Sequence, residues 1–192
     1  MSRLVDDMLR LARLDQHPDQ QHDMVDLTAL VHGCAERAEI ADPQRTWRAQ
    51  IAAGLVATGD EELLRRAVDN LLANVCAHTP GGTVATITAA ARGGTVVVEV
   101  SDNGPGVPAD RLPHIFDRFY RAAALPPRPG SGLGLAIVTA IAAAHQGTAE
   151  AALNHPHGLR VTLTLPAGSL PSPAPPPAAI ITAGSRPSPA LF

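Results

Sequence analysis

The chain has 192 residues, of which 45 % are hydrophobic and 17 % charged. That length and apolar content suffice for one domain with a real core and exclude a chain disordered throughout. A formal net charge of −3 gives no electrostatic case for nucleic acid, and two cysteines outside any CxxC spacing exclude a disulfide framework.

Aromatics make up only 3 %, so the core must be built from Ala, Leu, Val and Ile, and modest stability is expected. The eight histidines show no HExxH and no clustered Cys/His spacing. His155 and His157 flank Pro156 and read as solvated turn residues. No signal peptide and no run of 18 apolar residues is present, so no membrane span is expected and the expected compartment is cytoplasmic.

In chain order, residues 1–15 predict a helix with Leu4, Met8 and Leu11 on one stripe. Residues 16–25 read as a polar linker. A domain is predicted over 26–166, starting with a helix that Asp26 caps. "TWRAQIAAGLVATG" predicts one or two strands with a turn near Gly54. Asp60 then caps the long helix "EELLRRAVDNLLANVCAH", whose acidic first turn suits the helix dipole. A hairpin follows, turning at Gly93 and Gly94. After a Pro- and Gly-rich stretch over 104–131, a helix runs from near Gly132 to near His145. "TAEAAL" and "LRVTLTL" predict two closing strands. This order predicts an α/β sandwich with helices on one sheet face. Residues 167–192 are Pro-, Ala- and Ser-rich and predict a disordered tail.

Three elements carry candidate chemistry. Asn70 and Asn74 lie four apart, on one helical face. Helix interiors disfavour Asn, so two on one face ask for a reason: either ligation of a hard cation or phosphate, or a capping network within the fold. "EVSDNGPGVP" follows a strand and fixes Asp102 beside a Gly-x-Gly turn, giving either an anchored acceptor for an exocyclic amine or a plain turn. "GSGLGLAIV" alternates Gly130, Gly132 and Gly134 before a helix, an arrangement whose backbone amides can hold an anion. It lacks the Lys-Ser/Thr of a P-loop and is not a dinucleotide fingerprint.

Taken together, "DNLLANVCAHTP", "DNGPGVP", "IFDRFYR" and "GSGLGLAIV" resemble, in order and spacing, the N, G1, F and G2 boxes of the catalytic domain of bacterial sensor histidine kinases. That domain belongs to the ATP-binding superfamily that also includes gyrase, Hsp90 and MutL. The resemblance covers roughly residues 26–166, and residues 2–15 are similar to the end of a dimerisation helix. It implies a two-layer α/β sandwich with a mixed, mostly antiparallel sheet. It implies ATP and Mg2+ as ligands, Asn74 as the magnesium residue with Asn70 in support, and Asp102 as the adenine contact. Gly104 and Gly106 then let the base approach, Phe116 and Phe119 anchor a lid over 118–130, and Gly130, Gly132, Leu133 and Gly134 form its hinge and phosphate contacts. Arg121 and Arg128 are the basic lid residues for phosphate, and His78 stands beside the nucleotide.

Two departures qualify the resemblance. Ala77 stands where the family places a basic residue. No H-E-[LI]-R-T-P segment supplies a phosphoacceptor histidine. The expected function is therefore transfer of the γ-phosphoryl of Mg-ATP to a histidine on a separate polypeptide, with a response regulator downstream. The alternatives are a non-enzymatic ATP-binding regulator or an inactive kinase fragment. Hydrolytic relatives carry Glu at the position of Asn70, so efficient ATP hydrolysis is not expected.

Overall fold

The computed structural model describes residues 23–120 and 131–168. The element order is β1 (Asp23–Asp26), α1 (Leu27–Ala41), β2 (Thr46–Ile51), β3 (Val56–Gly59), α2 (Glu61–His78), β4 (Val84–Arg92), β5 (Thr95–Asp102), a short 3-10 turn (Leu112–His114), α3 (Gly134–Ala144), β6 (Thr148–Leu153) and β7 (Leu159–Pro166). Five strands form one sheet in the order β2-β4-β5-β7-β6, and β1 pairs with β3 in a separate two-stranded sheet. All pairings are antiparallel except β2 with β4.

Strand alternation decides which face is covered. On β4, Ala85, Ile87 and Ala89 are buried; on β5, Val96, Val98 and Val100; on β7, Val161, Leu163 and Leu165. Their neighbours along each strand are only half-buried, many of them Thr. A strand of period two thus gives one apolar and one polar face. The apolar face receives α2 through a stripe of Leu64, Ala67, Val68, Leu71, Leu72 and Val75, and α3 through Ile137, Val138 and Ile141. The predicted two-layer sandwich with helices on one face is the observed fold. The core is built from Leu, Val, Ile and Ala, and no described aromatic residue is fully buried.

The local signals act where expected. Asp26 Oδ1 accepts from the Ala29 amide at 2.9 Å, and Asp60 Oδ1 from the Leu63 amide at 3.0 Å. Each opens a helix by satisfying an orphan donor. Long-range pairing corrects two boundaries. Asp23–Asp26, three of them within the expected linker, form a strand on β3, with Asp23 opposite Gly59. Ala167 and Gly168, assigned by composition to the tail, bridge back to β3: Ala167 pairs with Ala57, and the Gly168 amide donates to the Val56 carbonyl at 2.8 Å. Backbone pairing needs no apolar side chain, so composition alone missed both. The expected helix over residues 1–15 and the tail beyond Gly168 lie outside the described residues.

Two internal groups matter later. Cys34 is fully buried on α1 beside the Arg37–Asp69 ion pair, and burial, with Asp69 adding to it, pushes its thiol up to about 12. His145, buried at the end of α3, accepts the Asp60 amide on Nε2 at 3.0 Å. Its Nδ1 therefore carries the proton, donated to the Ile141 carbonyl at 2.8 Å. Its ring fills the space beside Gly59, where a Cβ would lie 2.3 Å from Cδ2.

Candidate functional site

Helix α2 forms the floor of the site. Asn70 and Asn74 are both half-buried on it, one turn apart. The Asn70 Nδ2 is enclosed yet has no hydrogen-bond partner among the described residues. An enclosed amide left unpaired costs about 1–3 kcal/mol, so a group from outside the chain is the natural partner. Asn70 Oδ1 lies 4.0 Å from where a Cβ on Gly134 would stand, so α3 begins directly over it. The N-cap position of α3 is Leu133, buried, whose own side chain makes no cap bond, while its amide donates to the Ser131 hydroxyl at 3.3 Å. Helix-start amides in that state carry partial positive charge and attract anions.

At the C-terminal end of α2 sits Asp102, the last residue of β5 and only 5 % exposed. Its Oδ1 accepts from the Gly104 amide at 2.8 Å and the Leu159 amide at 3.4 Å. No described residue donates to Oδ2, which is left as an oriented acceptor. Gly104 is squeezed between this carboxylate and Thr79, the C-cap of α2; a Cβ there would lie 2.7 Å from Thr79 Cγ2. At Gly106 the steric demand comes from within the chain, since a Cβ would lie 2.8 Å from the Gly158 carbonyl oxygen. Thr79 is held by Arg45, itself buried, through hydrogen bonds from Nη1 to its hydroxyl and from Nη2 to its carbonyl, the latter at 3.5 Å. A guanidinium at a helix C-terminus meets the negative end of the dipole.

The F-box aromatics divide. Phe116 and Tyr120 pack on the core, whereas Phe119 is 52 % exposed with φ of +64°. Phe119 acts through its backbone: its amide donates to the Gly132 carbonyl at 2.9 Å. Gly132 has φ of +70°, and a Cβ on it would lie 2.8 Å from the Phe119 carbonyl carbon, so no larger residue fits. The two ends of the segment 121–130 are thereby pinned together. Arg121, Arg128 and Gly130 lie outside the described residues. His78 is exposed at the end of α2, with Ala77 half-buried before it.

Two acceptor-and-donor ends therefore face each other along α2. Asn70 and the α3 start mark one, Asp102 and Gly104 the other, and Asn74 lies between. From Asn70 to Thr79 the helix rises roughly 13 Å. Among the described residues no three His, Cys, Asp or Glu converge to hold a metal ion. A hard cation here would rest on the amide oxygens of Asn74 and Asn70 and on oxygens of the ligand, a donor set that suits magnesium.

Sequence reasoning missed Thr79, Arg45 and the β6–β7 turn at Asn154–Gly158. Arg45 stands alone in "DPQRTW", and the turn reads as ordinary. Their roles depend on which strand lies beside which, and no local pattern carries that.

The family of histidine kinase-, DNA gyrase B- and HSP90-like ATPases matches residues 59–169. The chain belongs to this family. Its site is thus built on an ATP-binding fold, homologous to the catalytic domains of bacterial sensor histidine kinases. It is 39 % identical over 151 residues to the probable sensor histidine kinase TcrY of Mycobacterium tuberculosis, covering 77 % of this chain and 32 % of that protein. It is 39 % identical over 168 residues to the sensor protein SphS of Synechococcus elongatus, covering 81 % of this chain and 40 % of SphS. The chain thus spans 32–40 % of the length of these curated relatives. Among solved structures, the mycobacterial sensor histidine kinase MprB matches with a TM-score of 0.69 and 28 % identity, over 78 % of this chain and 99 % of that one. Full-length ShkA, solved in complex with AMPPNP, matches with a TM-score of 0.72 and 27 % identity, over 87 % of this chain and 36 % of that one. No helix among the described residues is long and apolar enough to cross a membrane.

Proposed function

We propose that this domain binds Mg-ATP along α2 and transfers its γ-phosphoryl group to a histidine on a separate polypeptide, which in turn serves a response regulator. The observation that carries the nucleotide part is the enclosed Asn70 amide, without a partner among the described residues, beneath the start of α3 and opposite the oriented Asp102 carboxylate. In this reading Asp102 Oδ2 accepts from the adenine amine. Gly104 and Gly106 let the turn close against Thr79 and Gly158 and so shape the approach of the base, which His78 borders. The α3 amides from Gly134 onward, with Leu133 and Gly132 shaping the approach, receive phosphate oxygens. Arg121, Arg128 and Gly130 belong to the lid that completes the phosphate contacts, with Phe119 at its base.

Asn74 and Asn70 would hold magnesium through their side-chain oxygens. When bound, magnesium supplies positive charge against the phosphates. No carboxylate stands at Asn70 to activate water, which favours transfer to an imidazole over hydrolysis. A neutral imidazole is already nucleophilic, so the domain needs to orient and to shield more than to remove a proton. Ala77 favours one further reading, a non-enzymatic ATP-binding regulator, because a phosphate-facing cation is missing there.

Labelled ATP and magnesium, mixed with this chain and a histidine-bearing dimerisation protein, test the proposal. Label on the partner's histidine is the expected result. Mg-ADP binding by calorimetry without any label transfer favours the regulator, and no binding at millimolar nucleotide removes both readings.

A further inference from the structure

The turn between β6 and β7 approaches the base end of the site from behind. Strands β5 and β7 pair in register from Thr95 opposite Pro166 to Ser101 opposite Arg160. The next rung would join Asp102 to Leu159 backbone to backbone. Instead the Leu159 amide goes to the Asp102 side chain, at Oδ1, and the Asp102 carbonyl accepts from Asn154 Nδ2 at 2.8 Å. The ladder has been exchanged for contacts that fix the carboxylate itself.

Asn154 cannot turn its amide over. Its Oδ1 accepts from Arg160 Nη2 at 3.0 Å, so Nδ2 must face Asp102, and Arg160 is held by an ion pair from Nε to Glu99 Oε1 at 3.3 Å. The turn is closed by the Asn154 amide on the Gly158 carbonyl at 3.0 Å. Gly158 has φ of +117°, and a Cβ there would lie 1.9 Å from the Asp102 carbonyl oxygen. The turn also reaches the following loop, with His157 Nδ1 3.2 Å from the Gly104 carbonyl.

We propose that Asn154, locked by Arg160 and Glu99, is a positioning residue that aims the Asp102 carboxylate and so sets selectivity for adenine, an inference that rests on Asp102 being the base contact. With Oδ1 saturated by two backbone amides, the plane of the carboxylate is fixed and Oδ2 points one way. Releasing the Asp102 carbonyl from Asn154 lets the end of β5 rotate and carries Oδ2 off the line of an incoming amine. The effect falls on recognition of the base, since Asn70 lies roughly 13 Å away along α2.

The test compares Mg-ADP with Mg-IDP, which carries a carbonyl in place of the exocyclic amine, in the full chain. Asn154→Ala removes the donor; Asn154→Asp keeps the shape and the Arg160 contact but sets an acceptor against the Asp102 carbonyl. Calorimetry with ADP, and competition by IDP, give the ratio of the two affinities. That ratio does not depend on the fraction of folded protein. In both variants ADP affinity is expected to fall about tenfold while IDP affinity holds, so the ratio falls by the same factor. An unchanged ratio, whether through intact ADP binding or a parallel loss of both ligands, overturns the positioning role while leaving the nucleotide reading in place. A wild-type chain that binds neither ligand overturns both.

Discussion

The middle of α2, at Asn70, and its C-terminal end, beside Asp102, are built on opposite plans. At the Asp102 end the carboxylate is held from within the chain: two backbone amides on Oδ1, an Asn154 amide on the carbonyl, and Thr79 clasped by buried Arg45. At Asn70 the enclosed amide has no partner among the described residues, and the N-cap Leu133 of α3 makes no side-chain cap bond. A finished acceptor is rigid and selective, because its geometry does not wait for the ligand. An enclosed donor without a partner is costly until an acceptor arrives. In the proposed reading the Asp102 end is thus suited to choosing a ligand and the Asn70 position to responding to it.

The largest test of this contrast is Asp102→Asn. The amide oxygen of Asn still accepts from Gly104 and Leu159, so the fold is retained, but a donor replaces Oδ2 and meets the adenine amine donor to donor. Mg-ADP affinity should fall by roughly thirtyfold, about 2 kcal/mol, in calorimetry. A change below threefold breaks the idea of a finished acceptor.

Asn70→Leu probes the opposite end. Removing an enclosed, unpaired amide should stabilise the free chain to urea by about 1 kcal/mol while weakening Mg-ADP. A variant that is less stable without ligand shows that the amide is already satisfied. Hydrogen exchange reads both ends at once. Mg-ADP should slow exchange at the amides of Gly134–Ala136 by about tenfold, against little change at Gly104 and Leu159, which are bonded beforehand. Equal protection at the two ends erases the contrast.

The smallest effect lies away from both ends. Cys34 holds its proton up to about pH 12 when folded, through burial and the neighbouring Asp69. Unfolded, the thiol ionises near its ordinary value. Between about pH 9 and 12 the folded state binds the extra proton, so stability is full below that window and falls as pH rises through it. Urea midpoints should decline across the window more steeply for wild type than for Cys34→Ser, with Mg-ADP leaving the difference unchanged.

Much of this was legible in sequence wherever the signal is local. Asp26 and Asp60 capped the helices they precede, and the hairpin turned at Gly93 and Gly94. The four boxes led to the family because each is a contiguous run. What stayed hidden is set by lateral pairing. β2 and β3 read as neighbours but enter different sheets, β2 running parallel to β4. The strand at Asp23–Asp26 exists because β3 offers it an edge. Asn154 lies 52 residues from Asp102 and gains meaning only once β7 lies against β5. Phe119 resembled an anchor by type, yet its backbone at positive φ, with Gly132, does the holding.

The His145 ring gives α3 a mechanical character. It ties the C-terminal end of that helix to the Asp60 amide, at the very residue that opens α2. The far end of α3 carries the chain that enters from residues 121–130. A helix of 11 residues spans about 16 Å, held by the His145 ring at one end and joined to that segment at the other. A tilt of about 5° moves the joined end by roughly 1.4 Å over that length, a hydrogen bond made or broken, while the His145 end and the floor beneath it stay still.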